Sequence, residues 1–323
     1  MPPSPKVVSL VRAPRKIFSG RQIALFIDPY DWHARQLIAA FARVGVRAQP
    51  IRLSACAFDT RRPSGLVIPG FAARPPDAVL VRAIGAGTFE SVTLRLGILH
   101  ALAALDIQVM NSARTIELCV DKAATSFLLA KDKIPTPPTW SVQSTAAARA
   151  IIRREAARGP LVLKPLFGAQ GFGLKLIRRE SDLPELEAVQ GVYYLQRFVG
   201  IERERYSDIR ILVSQGKIVA AMTRHANHWI TNVKQGARPE AIPINSEMRD
   251  LALRSTEAVH ADFAGVDLLR CDDGSLTVLE VNSMPGWRGL QSVTHFSIAD
   301  RFASELLNRL GWRVGDAEAE IAS

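Results

Sequence analysis

The chain has 323 residues, of which 48% are hydrophobic, and a formal net charge of +10. The length predicts two or three domains and the apolar content predicts a sizeable core, which excludes a largely disordered protein. No apolar run reaches the about 18 residues that a transmembrane helix needs, so we expect no membrane partner. The basic, proline-containing segment 1–19 lacks the apolar core of a signal peptide and is interpreted as a flexible tail.

The basic residues indicate the class of ligand, and the cysteines indicate the cellular compartment. The excess of positive charge suits an anionic ligand such as a nucleotide, a phosphate or a polycarboxylate. No basic run alternates with aromatic residues, so we expect no nucleic-acid surface, and a solvated basic surface explains most of the arginines. Cys56, Cys119 and Cys271 form no CxxC pair, which argues against disulfides and a zinc site and for the reducing cytoplasm.

Strands and helices alternate in the first third of the chain. Apolar runs typical of strands occur at 22–27, 78–84 and 108–112. Amphipathic helices are predicted between them, over 28–46 and 88–107, from apolar residues three and four positions apart. This alternation predicts a parallel sheet with helical crossovers, so residues 20–113 are expected to form a small α/β domain.

The composition changes after this domain. One helix is predicted to end at Ile134–Pro135, because proline cannot continue a helix, and another covers 146–158. The rest of the chain is predicted to be rich in strands, in the stretches 193–199, 208–225 and 265–282. A last helix over 296–311 and a frayed tail at 314–323 close the chain.

A glycine-rich loop separates two short predicted strands in LVLKPLFGAQGFGLKLI, residues 161–177. Lys164 ends the first strand, and Gly168, Gly171 and Gly173 follow it. Glycines let backbone N–H groups approach phosphate oxygens and lysine supplies a positive charge, so the pattern fits a phosphate-binding loop. The loop lies between strands and lacks GK[ST], unlike a Walker loop, and a plain flexible turn is the alternative.

The segment GVDLLRCDDGSLTVLEVN, residues 265–282, predicts a β-hairpin with a two-residue turn at Asp273–Gly274. Such a turn places Asp267 directly opposite Glu280, with Asn282 two residues further along the same face. Like charges at opposite positions are destabilising, and a hard cation such as Mg²⁺, which prefers oxygen ligands, would offset them. Two solvated carboxylates on an exposed sheet face are the alternative, which the apolar neighbours weaken.

Several separated elements, taken together, resemble the ATP-grasp ligases, most closely the RimK-like α-L-glutamate ligases. The elements are Lys122 in DKAATSFLLAKDKIPTPPT, Lys164 with its glycine loop, Asp208 and Arg210 in SDIRILV, Asn232 in WITNVKQG, and Asp267 with Glu280–Val281–Asn282. Their order and approximate spacing agree with the family over nearly the whole chain. Within the family, the stretch 87–129 looks most like the tetrahydromethanopterin:α-L-glutamate ligases.

The resemblance implies an α/β (α+β) ATP-grasp fold in three domains. An N-terminal Rossmann-like domain with a parallel sheet would cover 20–113, a central lid domain 114–194 and a C-terminal ATP-grasp domain 195–313. ATP would lie between the last two domains. The tails 1–19 and 314–323 would lie outside them.

The resemblance also assigns residues to the nucleotide. Lys122 and Lys164 would contact its phosphates, the loop 168–173 would close over them, and Asn232 would lie near phosphate and metal. Adenine would lie against the strand that contains Gln196, Arg197, Phe198 and Val199. Many family members carry a glutamate where this chain has Arg197, and arginine cannot accept a hydrogen bond, so adenine recognition there would rely on backbone groups.

Metal and catalytic roles follow from the same resemblance. Asp267, Glu280 and Asn282 would bind two Mg²⁺ ions, with Glu280 bridging them and Mn²⁺ as a substitute. Arg210 would steady an acyl phosphate, and Asp208 would orient the attacking amine. Each residue also has an ordinary structural alternative: an exposed helix lysine for Lys122, a strand-start cap for Asp208 and a half-exposed strand residue for Arg210.

Two histidines and two tryptophans flank the predicted site. His225 and His228 are three residues apart but have no third nitrogen or sulfur ligand near them in the sequence, so they are interpreted as surface loop residues, with contact to the substrate as the alternative. Trp229 and Trp287 border the site, and Trp287 is expected either to pack against a planar ligand or to serve ordinary packing.

The function implied is a cytoplasmic ligase that joins L-glutamate to a carboxylate-bearing acceptor through an acyl phosphate made from ATP. A tetrahydromethanopterin-type pterin is the expected acceptor, and a protein C-terminus, a deazaflavin coenzyme or another amino-acid or peptide acceptor are the alternatives. A non-catalytic nucleotide- or RNA-binding protein is a further alternative, which salt-dependent RNA binding without ATP turnover would indicate. Family members often form dimers or tetramers, so a homo-oligomer stays open by analogy.

Overall fold

The computed structural model describes residues 20–168, 171–199 and 206–312. The predicted tails at 1–19 and 314–323 lie outside these residues. Within the described ranges, none of the helices combines the length and the apolar character that crossing a bilayer requires.

The first part of the chain builds the predicted parallel sheet. Its elements are β1 (Gln22–Phe26), α1 (Trp32–Arg43), β2 (Arg47–Ile51), β3 (Ala57–Phe58), β4 (Leu66–Val67), β5 (Ala78–Val81), α2 (Phe89–Ala104) and β6 (Gln108–Met110). Strands β2, β1, β5 and β6 pair in this order and are all parallel, which confirms the expected parallel sheet. Strands β3 and β4 form a separate antiparallel pair.

The middle of the chain forms a four-stranded antiparallel sheet. Its elements are α3 (Ala113–Val120), α4 (Lys122–Lys131), β7 (Thr139–Val142), α5 (Thr145–Glu155), β8 (Leu161–Lys164), β9 (Lys175–Ile177) and β10 (Tyr193–Arg197). The strand order is β7-β10-β8-β9, so the glycine loop connects the neighbouring strands β8 and β9, as predicted. One helix was predicted to end at Ile134, but the structure has two helices there, α3 and α4. Asp121 starts the second one, because its carboxylate accepts hydrogen bonds from Ala123 N and Ala124 N at 2.9 and 3.1 Å.

The last part of the chain forms a five-stranded antiparallel sheet. Its elements are β11 (Tyr206–Ser214), β12 (Lys217–Ala226), β13 (Arg238–Ala241), α6 (Ser246–Ala258), β14 (Phe263–Arg270), β15 (Leu276–Asn282), α7 (Arg288–Ser292) and α8 (Ile298–Arg309). The strand order is β13-β12-β11-β14-β15. The predicted boundary between the central and C-terminal domains, between residues 194 and 195, falls inside strand β10. The three domain ranges stay predictions.

The turn of the β14–β15 hairpin differs from the prediction. Arg270 pairs with Leu276, and Cys271 N donates to the carbonyl of Ser275 at 2.8 Å. The loop therefore spans 272–274, and the predicted two-residue turn is wrong. The Asp273 carboxylate accepts a hydrogen bond from the backbone N–H two residues later at 2.9 Å, and Gly274 has a φ of +86°. Both features stabilise a three-residue loop that ends in the left-handed conformation.

The predicted pairing at the other end of this hairpin is nevertheless confirmed. Asp267 lies opposite Glu280. The register shifts by one residue between Asp267 and Leu268, with Leu279 as the extra residue of a bulge. The bulge therefore cancels the deviation at the turn and returns both carboxylates to the predicted positions.

Candidate active site

A cleft lies between the β7–β10 sheet and the β11–β15 sheet. Every predicted site residue lines it except Gly173, Arg210 and Asn282. These three lie directly behind the lining, where each packs against a lining residue or its immediate neighbour. The fold thus brings together side chains that are far apart in the sequence.

Two lysines enter the cleft from different elements. Lys164 ends β8, and its Nζ donates to Gln196 Oε1 at 2.6 Å. Lys122 begins α4, and its Nζ donates to the backbone carbonyl of Gly168 at 2.9 Å. Burial lowers the pKa of both lysines, and the nearby Glu280 carboxylate opposes this shift. The exposed alternative for Lys122 is wrong, since its ammonium group is held against the glycine loop.

The glycine loop packs across the cleft against the segment that contains Asn232. Gly171 has a φ of +75°, and a Cβ there would lie 2.6 Å from Asn232 Oδ1 and 2.6 Å from Ile230 Cγ2. Gly173 has a φ of +74°, and its Cβ would lie 2.8 Å from Pro165 Cγ. Both positions therefore need glycine for backbone conformation and for close approach.

The last residues of β10 and the chain after it form one wall of the cleft. The Arg197 guanidinium binds the buried Glu155 carboxylate, so this side chain is already engaged. The Phe198 ring meets Trp229 edge to face, with centroids 6.0 Å apart. Val199 completes the wall, which offers an apolar surface beside backbone groups.

Four buried charged side chains lie in the cleft lining or directly behind it. Arg210 Nη2 donates to Asp267 Oδ2 at 2.7 Å, and Arg224 Nη2 lies 2.9 Å from the same oxygen. Arg224 Nε also donates to Asp208 Oδ1 at 2.6 Å. All four side chains are at most 9% exposed, so the strand-cap alternative for Asp208 and the half-exposed alternative for Arg210 are wrong.

The arginines determine the charge state of this network. Burial raises the pKa of Asp267, but Arg210 and Arg224 outweigh burial and bring it to about 2. Burial also raises the pKa of Asp208, and Arg224 opposes that shift. Asp267 is therefore ionised at neutral pH.

Sequence reasoning did not identify Arg224 as a site residue. It lies on β12 directly opposite Asp208 of β11, as Arg210 lies opposite Asp267 of β14. The segment 208–225 was treated as one strand-rich stretch. Simple pairing about the Gln215–Gly216 turn, where Ser214 pairs with Lys217, would place Thr223 opposite Asp208. A bulge between Leu212 and Val213 shifts the register by one residue and brings Arg224 there instead.

The donor set of the hairpin fits a hard divalent cation. Asp267 and Glu280 supply carboxylates, and Asn282 supplies a carboxamide whose Nδ2 donates to Glu280 Oε1 at 2.9 Å. Within the described ranges, no group of three or more His, Cys, Asp and Glu residues converges, and the oxygen donors at this hairpin are two carboxylates and one carboxamide. Two carboxylates and an amide oxygen are ligands that Mg²⁺ accepts.

The flanking histidines and Trp287 have structural roles. His225 lies on β12 and not in a loop as predicted, with its Nε2 3.4 Å from the Glu240 carboxylate. His228 Nδ1 accepts a backbone hydrogen bond at 3.1 Å. Trp287 is 1% exposed and packs edge to face against His33. The planar-ligand alternative for Trp287 is therefore wrong, whereas Trp229 lines the cleft.

Comparison with known proteins gives consistent similarities. The family model for the RimK-like ATP-grasp domain matches residues 119–306. The chain is 30% identical over 324 residues to the tetrahydromethanopterin:α-L-glutamate ligase of Methanosarcina acetivorans, covering 88% of this chain and 97% of that protein. It is 37% identical over 208 residues to the ligase of the same name from Methanococcus maripaludis, covering 62% of this chain and 70% of that protein.

A solved structure shares the fold. The ATP-grasp ligase PsnB, complexed with a phosphomimetic variant of its minimal precursor, Mg and ADP, aligns with a TM-score of 0.70. The alignment covers 91% of this chain and 99% of that chain at 19% sequence identity. Similarity at this level concerns the fold alone, and it confirms the predicted ATP-grasp architecture.

Proposed function

Because the chain belongs to the RimK-like ATP-grasp family and is therefore an ATP-dependent ligase, we propose that it joins the amino group of L-glutamate to a carboxylate acceptor. The observation that carries this proposal is the convergence of Lys122, Lys164 and Glu280 in one cleft beside the glycine loop. A ligase of this kind has to neutralise polyphosphate charge, and the two lysines, together with a cation held by Glu280, would supply the positive charge. The non-catalytic alternative gives way to the ligase assignment.

The proposed chemistry proceeds in two steps. An oxygen of the acceptor carboxylate attacks the γ-phosphorus of ATP, ADP leaves, and an acyl phosphate forms. The glutamate nitrogen then attacks the carbonyl carbon, the bond from that carbon to the phosphate oxygen breaks, and phosphate and a proton are released with the amide. Lys122 and Lys164 bind the phosphates, and the glycine loop excludes water from the acyl phosphate.

We propose that Asp267, Glu280 and Asn282 hold two magnesium ions, with Mn²⁺ as a substitute. When bound, these ions neutralise charge on the transferred phosphoryl group. Arg210 and Arg224 keep Asp267 ionised and in place, which is what a metal ligand needs. Asp208 lines the cleft while Arg224 holds its carboxylate, which supports the proposal that Asp208 orients the amine of glutamate.

The acceptor we propose is a tetrahydromethanopterin-type pterin. Support comes from the relatives of that name, one of which aligns over 88% of this chain. The test is Mg²⁺-dependent ADP release with L-glutamate and one acceptor at a time: tetrahydromethanopterin, the deazaflavin coenzyme or a ribosomal C-terminal peptide. Turnover with the pterin alone would support the proposal, and turnover only with another acceptor would replace it.

Gly171→Ala is expected to raise the KM for ATP by at least about tenfold. A side chain at a φ of +75° is strained, and its Cβ would collide with Asn232 and push the glycine loop open. Steady-state ADP release at varied ATP measures the effect. Gly216→Ala is the matched control, because Gly216 has a φ of +66° but nothing within 4 Å of its Cβ position. Equal KM values in both variants would contradict the proposed loop closure.

Arg197→Ala is expected to leave the KM for ATP within about threefold of the unaltered value, because the guanidinium is engaged with Glu155. The same change should lower the free energy of unfolding, since the Glu155 carboxylate loses one arginine partner while it keeps Arg154 at 2.9 Å. Enzyme kinetics and urea unfolding measure the two effects. A large rise in KM without loss of stability would show that the side chain contacts adenine.

A further inference from the structure

The carboxyl edge of the parallel sheet contacts the chain segment that leaves the predicted metal-binding strand. This segment, 283–287, directly follows β15, whose last residues include Glu280 and Asn282. The contacts come from three neighbouring strands of the sheet, β1, β5 and β6, or from the residues that follow them. The residues involved are His33, Arg82 and Asn111.

Asn111 joins the two strands of the metal-binding hairpin. It is 0% exposed, and its Nδ2 donates to the carbonyls of Ser283 and Phe263, both at 2.7 Å. Its Oδ1 accepts from the backbone N–H groups of Asp262 and Phe263 at 2.6 and 3.1 Å. One buried side chain thus connects the start of β14 with the residue just after Asn282.

Arg82 holds the next residue of the segment. Its Nη1 donates to the carbonyl of Met284 at 3.1 Å, and the guanidinium lies 5.6 Å from the Trp287 ring. The side chain is 14% exposed, and the Asp31 carboxylate lies 3.6 Å away. The Arg82 guanidinium is therefore held between the Asp31 carboxylate and the backbone of segment 283–287.

His33 anchors the end of the segment. Its Nε2 accepts a hydrogen bond from the backbone N–H of Trp287 at 3.1 Å, so Nε2 carries no proton. Nδ1 lies 2.8 Å from Asp31 Oδ2 and donates to it. Burial, reinforced by Arg82, lowers the pKa of His33 to about 4, which keeps the ring neutral with this tautomer.

We propose that His33 and Arg82, with Asn111, are positioning residues that fix the backbone of 283–287 and so aim Glu280 and Asn282 at the metal. All three act on backbone atoms of the segment, and the orientation of a metal ligand depends on such supporting contacts. The N-terminal sheet then contributes to metal affinity without contributing a metal ligand. This inference rests on the metal site of the proposed function.

The test measures metal binding directly. Mn²⁺ binding in the presence of ADP is followed by electron paramagnetic resonance, and ADP binding without metal is followed by calorimetry. We expect Arg82→Met and His33→Ala each to weaken Mn²⁺ binding about tenfold, the range found for outer-shell partners, with metal-free ADP binding unchanged. His33→Gln should restore affinity, because its amide can accept from the Trp287 N–H and donate to Asp31.

The control variant is Arg74→Met. Arg74 also donates to a backbone carbonyl, that of Gly20 at 2.8 Å, and pairs with Asp77 at 2.9 Å, but it lies at the opposite edge of the sheet. Its Mn²⁺ affinity should equal that of the unaltered chain. If Arg82→Met does not fold, His33→Gln against His33→Ala decides the question.

Two outcomes would overturn the proposal. One is Mn²⁺ affinity that stays unchanged in the folded Arg82→Met and His33→Ala variants. The other is a parallel loss of metal-free ADP binding, which indicates general damage. The binding test contains neither glutamate nor an acceptor, so its result does not depend on ligation. If the unaltered chain binds Mn²⁺ but does not ligate glutamate, the proposed function is overturned and the binding test stays valid.

Discussion

Replacing Glu280 with glutamine is expected to lower kcat for glutamate-dependent ADP release by about 10³. The Glu280 carboxylate lies opposite Asp267, accepts a hydrogen bond from Asn282, and is close enough to Lys122 and Lys164 to shift the pKa of both. Glutamine keeps the size and the hydrogen bond but removes the negative charge. The loss should therefore appear in turnover, with the fold intact.

The matched control for this prediction is Glu240→Gln. Glu240 lies on β13 of the same sheet, is 59% exposed, and makes surface contacts with His225 at 3.4 Å and Arg238 at 3.6 Å. Its replacement should leave kcat unchanged, because exposed ion pairs contribute little. Turnover of Glu280→Gln within a factor of about ten of the unaltered chain would show that Glu280 does not hold the metal.

Arg224→Met is expected to lower the free energy of unfolding by about 3–5 kcal/mol, the largest stability effect we predict. Arg224 binds both Asp208 and Asp267, and its removal leaves two buried carboxylates with Arg210 as their remaining cation among these four groups. Urea unfolding measures the effect. Adding Asp208→Asn should recover part of the loss, because it removes one of the uncompensated charges.

The pH dependence of this effect follows from Asp267. Its folded pKa of about 2 lies below the unfolded value of about 3.9, so its stabilising contribution is complete above pH 4 and disappears as the pH falls through 2. The difference between the unaltered chain and Arg224→Met should therefore be largest at neutral pH and shrink in acid. Arg238→Met, at a side chain that is 78% exposed, should change stability by less than about 0.5 kcal/mol. An equal loss in both variants would contradict the buried network.

The sequence predicted those elements whose pattern is local. The apolar runs of β1 and β5 predicted a parallel sheet. The turn signal at Asp273–Gly274 predicted that Asp267 faces Glu280, which holds because the bulge at Leu279 compensates for the longer turn. Strand β2 was not predicted, because Arg47–Ile51 contains a proline and too few apolar residues for a strand pattern. Its position depends on pairing with β1, which is a tertiary effect.

The parts of the site that escaped prediction depend on contacts between distant residues. Arg224 became a site residue through cross-strand pairing with Asp208, and Arg82 and His33 became relevant through contacts with residues more than 200 positions away. No periodicity or motif encodes such contacts. The family resemblance supplied the remaining residues, because their combination is specific although each one alone has an ordinary structural explanation.

Transfer of oxygen-18 from the acceptor carboxylate to inorganic phosphate tests the central claim most directly. Tetrahydromethanopterin labelled in its carboxylate would be incubated with the chain, ATP, Mg²⁺ and L-glutamate, and the released phosphate analysed by mass spectrometry. We expect one labelled oxygen in the phosphate for each glutamate joined, because the bridging oxygen comes from the carboxylate and leaves with the phosphate when the bond between it and the carbonyl carbon breaks. Amide formation accompanied by unlabelled phosphate would contradict activation through an acyl phosphate.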